Sequence, residues 1–458
     1  MTIEQIYTGC LAQGAYYISS DGEAAIVDPL RSPQPYLQKA AEAGDTIKYI
    51  FETHFHADFV SGHLDLARET GARIVYGPGA KTDYEKYEAT DGEEFQLGNI
   101  CIRALHTPGH TLESTTYLVL DENGRPHAIF SGDTLFIGDV GRPDLAQKKG
   151  ALTTEDLAGL LFDSLRRKIM ILPDDVIVYP AHGAGSACGK KMSRETTDTL
   201  GNQRETNYAL RKDMTRAEFV REVGEGLLPP PAYFSENVRM NKAGYDAFDQ
   251  VMERGAVPLS PRAFEEVANR EMALVLDVRS KEDFVAGFIP NSIFIGLDGS
   301  FAPWVGELIP DLQQPILLVT DSGREAETVE RLSRVGYDNA LGYLEGGIEA
   351  WKNYGGQTDR ITTIQAEAFR PDRAAHILDV RKESEYESGH LRAARNLPLS
   401  TFGTATARLD PDTEYHLHCG SGYRSTIAAS ILQSRGFHRI VNVQDSVAAI
   451  LATESIDA

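Results

Sequence analysis

Residues 53–59 read THFHADF and follow directly on KYIFE (48–52), a run whose composition is typical of a β-strand. His54, His56 and Asp58 alternate along this segment, and alternate residues of an extended chain project to the same side. The three side chains can therefore converge on one point. Because imidazole and carboxylate groups are common ligands of protein-bound metals, the segment predicts a metal site at the end of a strand.

Three further stretches place metal-competent side chains after predicted strands: His110 in TPGHT, Asp133 in SGDTLF and His182 in PAHG. Strand ends and the loops after them face solvent while the sheet holds them in place, so sites gather there in sheet-based folds. Any one of the six residues can be read as a solvated loop residue or a hydrogen-bonded core histidine. Six of them at strand ends favour one shared metal site.

The composition is that of a globular protein: 458 residues, about three domains at roughly 150 residues each, with 42% hydrophobic and 24% charged residues. Lys and Arg number 45 against 67 Asp and Glu, and this net charge of −22 argues against nucleic acid and anionic membranes as partners. The N-terminal residues lack the pattern of a signal peptide, and no run approaches the roughly 18 apolar residues of a membrane span. Four cysteines without a CxxC pair suit a reducing compartment, so we expect a cytoplasmic protein.

After a breaker-rich stretch, GEGLLPPPAY (224–233), the chain repeats itself with an offset of 102 residues. LDVR at 276–279 recurs at 378–381, and FVAGF at 284–288 recurs in type as YESGH at 386–390. Each copy alternates predicted strands and helices, which favours a small α/β domain with a parallel sheet. The predicted parts are a first domain (1–225), a linker (226–256), a first copy (257–356) and a second copy (357–458).

The second copy contains a cysteine in a setting that favours reactivity. The strand YHLH (415–418) runs into CGSGYR (419–424), and a helix is predicted from about Ser425. Backbone N–H groups, the positive end of the helix dipole and the charge of Arg424 all favour the thiolate of Cys419. Such a sulfur can carry a second sulfur atom as a persulfide, whereas the alternative reading is a buried, unreactive cysteine.

The first copy has no cysteine at the corresponding loop, VTDSGR (319–324). Counting back from Arg324 puts Val319 in the place of the cysteine, and a shifted alignment puts Asp321 there. Neither side chain can form a persulfide. We therefore expect residues 257–356 to be inactive and to serve as a spacer, a docking domain or a regulatory domain.

The H-x-H-x-D segment, together with TPGHT, SGDTLF and PAHG, resembles the metallo-β-lactamase fold over residues 1–225. The resemblance implies an αββα sandwich with metal at one edge of its two sheets. Hydrolases of this superfamily such as glyoxalase II place a second ligand histidine directly after the aspartate, where this chain has Phe59. A phenyl ring cannot coordinate an ion, so we expect one metal per chain.

THFHADFVSGH (53–63) and GRPDL (141–145) resemble the persulfide dioxygenase group of this superfamily. The resemblance implies one Fe(II) per chain, bound by two histidines and one aspartate, with further polar groups that orient ligands or hydrogen-bond substrate. Carried over to this sequence, the ligands are His54, His110 and Asp133, and the outer groups are His56, Asp58 and His182.

Two further residues near this site are open to more than one reading. In the same group an arginine at the position of Arg142 is expected to bind the anionic thiol carrier, and a structural salt bridge is the alternative. Cys188 has flexible glycine neighbours and two lysines, Lys190 and Lys191, that would lower the pKa of its thiol. It is an accessory thiol of the metal pocket or an ordinary free cysteine.

LDVR, the pair Gly389-His390 and the C-x4-R loop resemble the rhodanese family in the second copy, and the first copy shares the pattern. Related phosphatases use a C-x5-R loop, so the shorter loop favours sulfur transfer. One departure, Ser446-Val447 in place of the Gly346-Gly347 pair of the first copy, leaves the docking of the last helix open. The resemblance implies that Cys419 and Arg424 are catalytic and that Gly420, Ser421, Gly422 and Tyr423 bind substrate.

The sequence thus predicts an α+β sandwich followed by two rhodanese-like α/β domains, similar to the dioxygenase-rhodanese fusions of bacterial sulfide detoxification. The resemblance implies oxidation of low-molecular-weight persulfides, such as glutathione or CoA persulfide, by dioxygen to thiol and sulfite. Sulfur from a second persulfide would then pass through Cys419 to sulfite and give thiosulfate. These small molecules are the expected partners, and a homo-oligomer is expected on base rates.

Two alternatives remain at this point. The first is a zinc-dependent thioester hydrolase of the glyoxalase II type fused to a sulfurtransferase. The second is a sulfur-binding sensor or carrier with a structural metal, although structural zinc sites are usually rich in cysteine.

Overall fold

The computed structural model describes residues 1–146, 152–371 and 376–453. They form two compact units, Met1–Phe248 with Ser333–Gly336 and Asp249–Leu332 with Tyr337–Ala458. Each unit contains hydrophobic cores of its own. Within these described ranges, no helix has both the length and the apolar character needed to cross a bilayer.

The first unit begins with strands and ends with helices. Its strands are β1 (Thr2–Thr8), β2 (Gln13–Ser20), β3 (Glu23–Val27), β4 (Thr46–Phe51), β5 (Arg73–Tyr76), β6 (Tyr87–Glu88), β7 (Glu94–Leu97), β8 (Ile100–His106), β9 (Thr115–Leu120), β10 (Pro126–Gly132), β11 (Ile177–Pro180) and β12 (Asp198–Thr199). Its helices are α1 (Gln34–Ala43), α2 (His63–Thr70), α3 (Thr154–Ser164), α4 (Leu200–Thr206), α5 (Arg216–Gly224) and α6 (Phe234–Ala243). A π-helical turn (Leu165–Ile169) continues α3, and a 3-10 turn occupies Tyr208–Leu210.

Two mixed sheets pack face to face in this unit, in the orders β1-β2-β3-β4-β5-β6 and β12-β11-β10-β9-β8-β7. The core between them joins Tyr16 and Phe51 of one sheet to Tyr117 and Phe130 of the other. Helices α1 and α2 pack on the outer face of the first sheet, and α3 and α5 pack on the outer face of the second. The αββα sandwich predicted from the sequence is confirmed.

Local sequence explains several of these elements. All six residues of β9, TTYLVL, are buried, as expected for a central strand that is covered on both faces. The predicted hairpin at SSDGE joins β2 to β3, with Asp21 and Gly22 both at positive φ, a conformation that favours Asp and Gly. The strands therefore end where turn residues allow the chain to reverse.

The stretch predicted to be a linker, 226–256, contains helix α6 and the whole of a further helix, Phe248–Gly255. Residues up to Phe248 belong to the first compact unit. The backbone N–H of Phe248 donates to Asp65 Oδ1 at 3.1 Å, which ties the end of this stretch to α2. The predicted limits of the three domains stay predictions.

From Phe248 onward the chain alternates strands and helices. The strands are β13 (Pro258–Leu259), β14 (Leu274–Asp277), β15 (Ile293–Phe294), β16 (Ile316–Val319), β17 (Ala340–Leu344), β18 (Thr362–Ile364), β19 (Ile377–Asp379), β20 (Ala394–Asn396), β21 (Tyr415–His418) and β22 (Ile440–Val443). The helices are α7 (Phe248–Gly255), α8 (Pro261–Glu271), α9 (Lys281–Ala286), α10 (Phe301–Leu308), α11 (Glu325–Ser333), α12 (Gly347–Tyr354), α13 (Glu383–Glu387), α14 (Phe402–Ala405), α15 (Tyr423–Ser434) and α16 (Val447–Ala452). Short 3-10 turns occupy Ala366–Ala368, Leu399–Thr401 and Thr406–Arg408.

The second unit contains two parallel five-stranded sheets with the same strand order. One runs β13-β17-β16-β14-β15 and the other β18-β22-β21-β19-β20. Every strand occupies the same place in its sheet as its counterpart in the other copy. The predicted pair of parallel-sheet α/β domains is confirmed.

The repeated LDVR motif has one structural role in both copies. Arg279 forms a bidentate ion pair with Asp277 and donates to the carbonyl of Gly287 at 2.9 Å. Arg381 repeats the pair with Asp379 and donates to the carbonyl of Gly389 at 2.7 Å. Each buried pair ties the end of a strand to the helix that follows, which explains why the Asp, Arg and Gly recur at one offset.

The alignment of the two loops differs from both sequence alternatives. Asp277 pairs with Val319 in the first copy, and Asp379 pairs with His418 in the second. Val319 is therefore the counterpart of His418, and Thr320, not Val319 or Asp321, stands in the place of Cys419. Counting back from Arg324 was wrong because the loop of the first copy is one residue shorter. A threonine hydroxyl cannot form a persulfide.

Candidate metal centre and sulfur-transfer site

The six residues predicted to share a metal site lie together in the first unit, and each is at most 5% exposed. Loops after β4, β8, β10 and β11 carry them. His54, His110 and Asp133 each offer a ligand atom within 4.8 Å of the others. Asp133 Oδ2 lies 3.3 Å from Nε2 of His110 and 3.8 Å from Nε2 of His54.

Hydrogen bonds fix the orientation of both histidine rings in this set. Thr53 donates its only hydroxyl proton to Asp28 Oδ2 at 2.8 Å, so its oxygen accepts from Nδ1–H of His54 at 3.0 Å. Nδ1–H of His110 donates to the carbonyl of Arg142 at 2.8 Å. Each ring therefore turns an unprotonated Nε2 toward Asp133, the tautomer that a metal ligand needs. Burial also lowers the pKa of His54, which keeps its ring neutral.

His56, Asp58 and His182 form a second set of three ligand atoms within 4.8 Å. Nε2 of His182 lies 3.5 Å from Asp58 Oδ2 and 3.6 Å from Asp133 Oδ1, so the two sets adjoin. Both carboxylate oxygens of Asp133, Oδ1 of Asp58 and both ring nitrogens of His182 are buried without a hydrogen-bond partner among the described residues. Buried lone pairs of this kind suit a metal ion, so the residues present fit a bound metal.

The second set differs from the first in its surroundings, because His56 also faces acidic groups behind it. Its Nε2 lies 3.1 Å from Asp28 Oδ1 and 3.7 Å from Glu52 Oε2. Burial disfavours the charged ring, but Asp28, Glu52 and Asp58 together outweigh burial and raise the pKa of His56 to about 9. The ring of Phe59 packs against His56 with centroids 4.2 Å apart, so apolar volume fills the side of this set where the sequence lacks a histidine.

Cys188 lies beside the two sets, with Sγ within 4.8 Å of a possible ligand atom of Asp133 and of His182. The expected effect of the neighbouring lysines is wrong: burial, with the charges of Asp58 and Asp133, raises the pKa of the thiol. Both lysines are engaged elsewhere: Lys190 donates its ammonium protons to the carbonyls of Glu222 and Glu225, and Nζ of Lys191 lies over the ring of Tyr208.

The guanidinium of Arg142 is engaged within the chain. It forms a bidentate ion pair with Asp144 at 2.6 and 2.7 Å and donates to the carbonyls of Ala187 and Leu228. Of the two readings that the sequence left open for Arg142, this geometry matches the structural salt bridge. The contribution of Arg142 that the geometry supports is its backbone carbonyl, which orients His110.

In the second unit, the sulfur of Cys419 is buried at the start of α15. The backbone N–H of Gly422 donates to Sγ at 3.2 Å, and Ser425 Oγ lies 3.7 Å away. Gly422 has φ +87°, which lets the loop turn its N–H inward, and a side chain there would be strained. The backbone N–H of Val447 donates to the carbonyl of Gly420, so the last helix does dock on the loop, with Ser446 as its N-cap.

Arg424 forms an ion pair with Glu385, a residue that the sequence analysis missed. Its two terminal nitrogens donate to Glu385 Oε2 and Oε1 at 2.6 and 2.8 Å. This contact, aided by the arginine charge, lowers the pKa of Glu385 to about 2. Tyr423 donates its hydroxyl proton to the carbonyl of Gly296 in the first copy at 2.7 Å.

Two other positions escaped the sequence reading. Asp28 follows the strand-like run AAIV directly, the same signal that marked Asp133, and could have been found. Asn241 on α6, in the stretch predicted to be a linker, donates to the carbonyls of His56 and Phe59. These carbonyls belong to the loop after β4 that carries His54, His56 and Asp58, here called the metal loop, and no local pattern marks Asn241. The roles assigned to all of these residues stay predictions.

Comparison with known families supports this description of both units. A model of the metallo-beta-lactamase superfamily matches residues 8–182, and a model of the rhodanese-like domain matches residues 260–354 and 364–453.

Similar proteins include enzymes of two kinds. A probable hydroxyacylglutathione hydrolase of Schizosaccharomyces pombe is 33% identical over 35% of this chain, and the chain spans only 59% of its length. The human mitochondrial persulfide dioxygenase is 30% identical over 46% of this chain and 74% of its own length. A crystal structure of a metallo-beta-lactamase from Staphylococcus aureus is 32% identical, covers 75% of this chain and 98% of its own, and superposes with a TM-score of 0.65.

The fold and the site define a metal-binding enzyme scaffold joined to two rhodanese-like domains. The chain belongs to the metallo-β-lactamase superfamily, in the branch of metallo-hydrolases and persulfide dioxygenases, and carries two rhodanese-like domains.

Proposed function

We propose that this protein oxidises a low-molecular-weight persulfide with dioxygen and transfers sulfur from a second persulfide to the sulfite produced. The first reaction consumes RSSH, O2 and H2O and yields RSH, sulfite and two protons. The second yields thiosulfate. The observation that carries the proposal is the presence, in one chain, of an oriented two-histidine, one-carboxylate set and a cysteine whose sulfur accepts a backbone N–H in a loop before a helix.

At the first site His54, His110 and Asp133 would hold one Fe(II). An iron ion in such a set keeps positions open to ligands and supplies the one-electron chemistry that dioxygen requires. The chain contributes orientation: Thr53 and the carbonyl of Arg142 keep both Nε2 atoms unprotonated. The buried loops around this set exclude water, which strengthens every electrostatic contact within it.

At the second site the chain contributes a stabilised sulfur. The thiolate of Cys419 first attacks the outer sulfur of RSSH; the bond between the two sulfurs of RSSH breaks, RS⁻ leaves and takes up the proton to give RSH, and the sulfur stays on the protein as Cys–S–S⁻. The lone pair of sulfite sulfur then attacks this outer sulfur, the S–S bond to the cysteine breaks, and its electron pair remains on Sγ. The N–H of Gly422 donates to that Sγ and so stabilises the thiolate that leaves.

Oxygen uptake by iron-loaded protein tests the proposal. With glutathione persulfide or CoA persulfide, the parent is expected to consume dioxygen and release thiosulfate. Cys419→Ser is expected to consume dioxygen at an unchanged rate and release sulfite, while the control Cys101→Ser, a substitution in β8, behaves like the parent. Absence of oxygen uptake by the iron-loaded parent would contradict the proposal.

A second candidate is a thioester hydrolase fused to the same sulfurtransferase. Two observations favour it: hydroxyacylglutathione hydrolases are as similar to this chain as persulfide dioxygenases, and His56, Asp58 and His182 retain ligand geometry. Hydrolysis of lactoylglutathione by zinc-loaded protein, without oxygen uptake by the iron-loaded form, would establish this candidate in place of the first.

A further inference from the structure

The copy without a cysteine contacts the loop of the copy that has one. Nζ of Lys281, the first residue of α9, donates to the carbonyl of Ser421 at 2.7 Å. Tyr423, two residues further along the loop, donates to the carbonyl of Gly296, and a side chain on Gly299 would strike its ring. The loop of Cys419 is thus held from both copies.

The cations around this loop differ in how their charge is used. Arg424 forms a bidentate ion pair with Glu385, and Arg381 forms one with Asp379. Both guanidinium charges are therefore largely neutralised by a carboxylate.

Lys281 is in a different position, because its closest acceptor is a neutral carbonyl. The carboxylate of Glu282 lies farther off, at 3.5 Å, and two-thirds of that side chain is exposed. An ammonium group has three protons, and Lys281 keeps about a quarter of its side chain exposed beside the loop. It also lies near Gly422, the residue whose N–H contacts the sulfur: a Cβ on Gly422 would be 3.2 Å from Nζ.

We propose that Lys281, supplied by the first copy, is a specificity residue that attracts the anionic sulfur acceptor to the persulfide on Cys419. The acceptor class is a small oxyanion of sulfur, for which sulfite is the probe. This assignment rests on the proposed sulfur transfer. It gives the first copy a function in that reaction: the loop of the first copy, with Thr320, forms no persulfide, but Lys281 places a positive charge at the loop of Cys419.

The need for such a group follows from the charges of the reactants. Sulfite and the persulfide are both anions, and the chain as a whole carries a net charge of −22. Two anions must approach each other against this field, and a single local cation lowers the cost where they meet. Neutralised arginines contribute less to this effect than an exposed ammonium does.

Alkylation of Cys419 measures the charge at the loop directly. Iodoacetate carries a negative charge and iodoacetamide is its neutral analogue, so the ratio of their rates, followed by mass spectrometry of the Cys419 peptide, isolates the electrostatic effect. Lys281→Met is expected to lower this ratio about five-fold, as loss of a nearby unit charge in water predicts, and Lys281→Arg to restore it. The control Lys352→Met, on α12 of the same copy and paired with Glu349, should leave the ratio unchanged.

Steady-state kinetics give the second readout. Lys281→Met is expected to raise the KM for sulfite about five-fold with little change in kcat. An equal change in the rates of both alkylating reagents would show a purely structural contact and overturn the assignment, and so would an unchanged ratio. If the parent forms no thiosulfate, the proposed sulfur transfer fails, while the reagent ratio still decides whether Lys281 presents its charge to Cys419.

Discussion

Phe59 is the residue on which the number of metal ions depends. Its ring lies against His56 and 6.3 Å from the ring of His182, fully buried. A phenyl ring offers no lone pair, so this set has three ligand residues where a histidine at the same position would give four.

Phe59→His is therefore expected to raise the metal content from one ion to about two per chain, because the imidazole would become a fourth ligand beside His56, Asp58 and His182. Plasma mass spectrometry of protein loaded with excess Zn²⁺ measures the ratio. Phe59→Leu keeps the apolar volume and should retain one ion. Two ions in the parent would contradict the expectation of a single metal.

The Glu385–Arg424 pair allows a prediction about pH. Because the pKa of folded Glu385 is about 2, below its ordinary 4.5, the pair stabilises the fold fully above pH 4.5 and loses this effect as the pH falls toward 2. The difference in free energy of unfolding between the parent and Glu385→Gln should be constant from about pH 8 to about pH 5 and shrink below that.

Urea denaturation at a series of pH values measures this difference. Glu349→Gln, which removes the carboxylate of an exposed pair with Lys352, serves as the control and should show no such trend. If the difference in free energy of unfolding between the parent and Glu385→Gln grew as the pH fell, it would contradict a lowered pKa of Glu385 in the folded protein.

At the scale of elements, helix α6 holds the metal loop through one side chain. The amide of Asn241 donates to the carbonyls of His56 and Phe59 at 2.9 Å each, and its oxygen accepts from the N–H of Ser61 at 2.9 Å. All three bonds are buried, and they fix the backbone on both sides of Asp58.

Asn241→Leu is expected to cost about 3 kcal/mol of stability, because it leaves two carbonyls and one N–H buried without partners. It should also weaken metal retention against a chelator, since the loop loses its fixed geometry. Asn237→Leu is a matched control one turn earlier: that amide is equally buried and makes no hydrogen bond with any described residue. Unchanged metal retention in Asn241→Leu would show that the metal loop keeps its geometry without the hydrogen bonds of Asn241.

Helices and turns could be predicted from the sequence where their limits depend on local residue patterns. The helix expected from Ser425 begins two residues earlier, at Tyr423, and the hairpin at SSDGE forms as predicted. The loop of the first copy was misaligned because one residue is missing from it, and only strand pairing shows which residue stands in the place of the cysteine.

At the scale of the whole molecule, the predicted metal cluster belongs to one compact unit and both tryptophans to the other. Trp304 and Trp351 both lie beyond residue 248, so tryptophan emission reports the second unit alone.

Removal of the metal should therefore affect two signals differently. A chelator is expected to lower the calorimetric unfolding temperature of the first unit by roughly 5–10 °C, as loss of a tightly bound ligand predicts. The transition seen by tryptophan emission should stay where it is. An equal shift in both would mean that the two units unfold together, and no shift in either would mean that no metal was bound.

The sequence alone determined the fold class, the repeat and the residues of the metal cluster, because strand patterns, glycine-rich loops and polar side chains at strand ends are local features. Tertiary structure alone decided which groups touch these residues: Asn241 behind the metal loop, Glu385 against Arg424, and Lys281 on the loop of Cys419. Such contacts join residues tens to hundreds of positions apart, and their geometry depends on how whole elements pack, which no short pattern encodes.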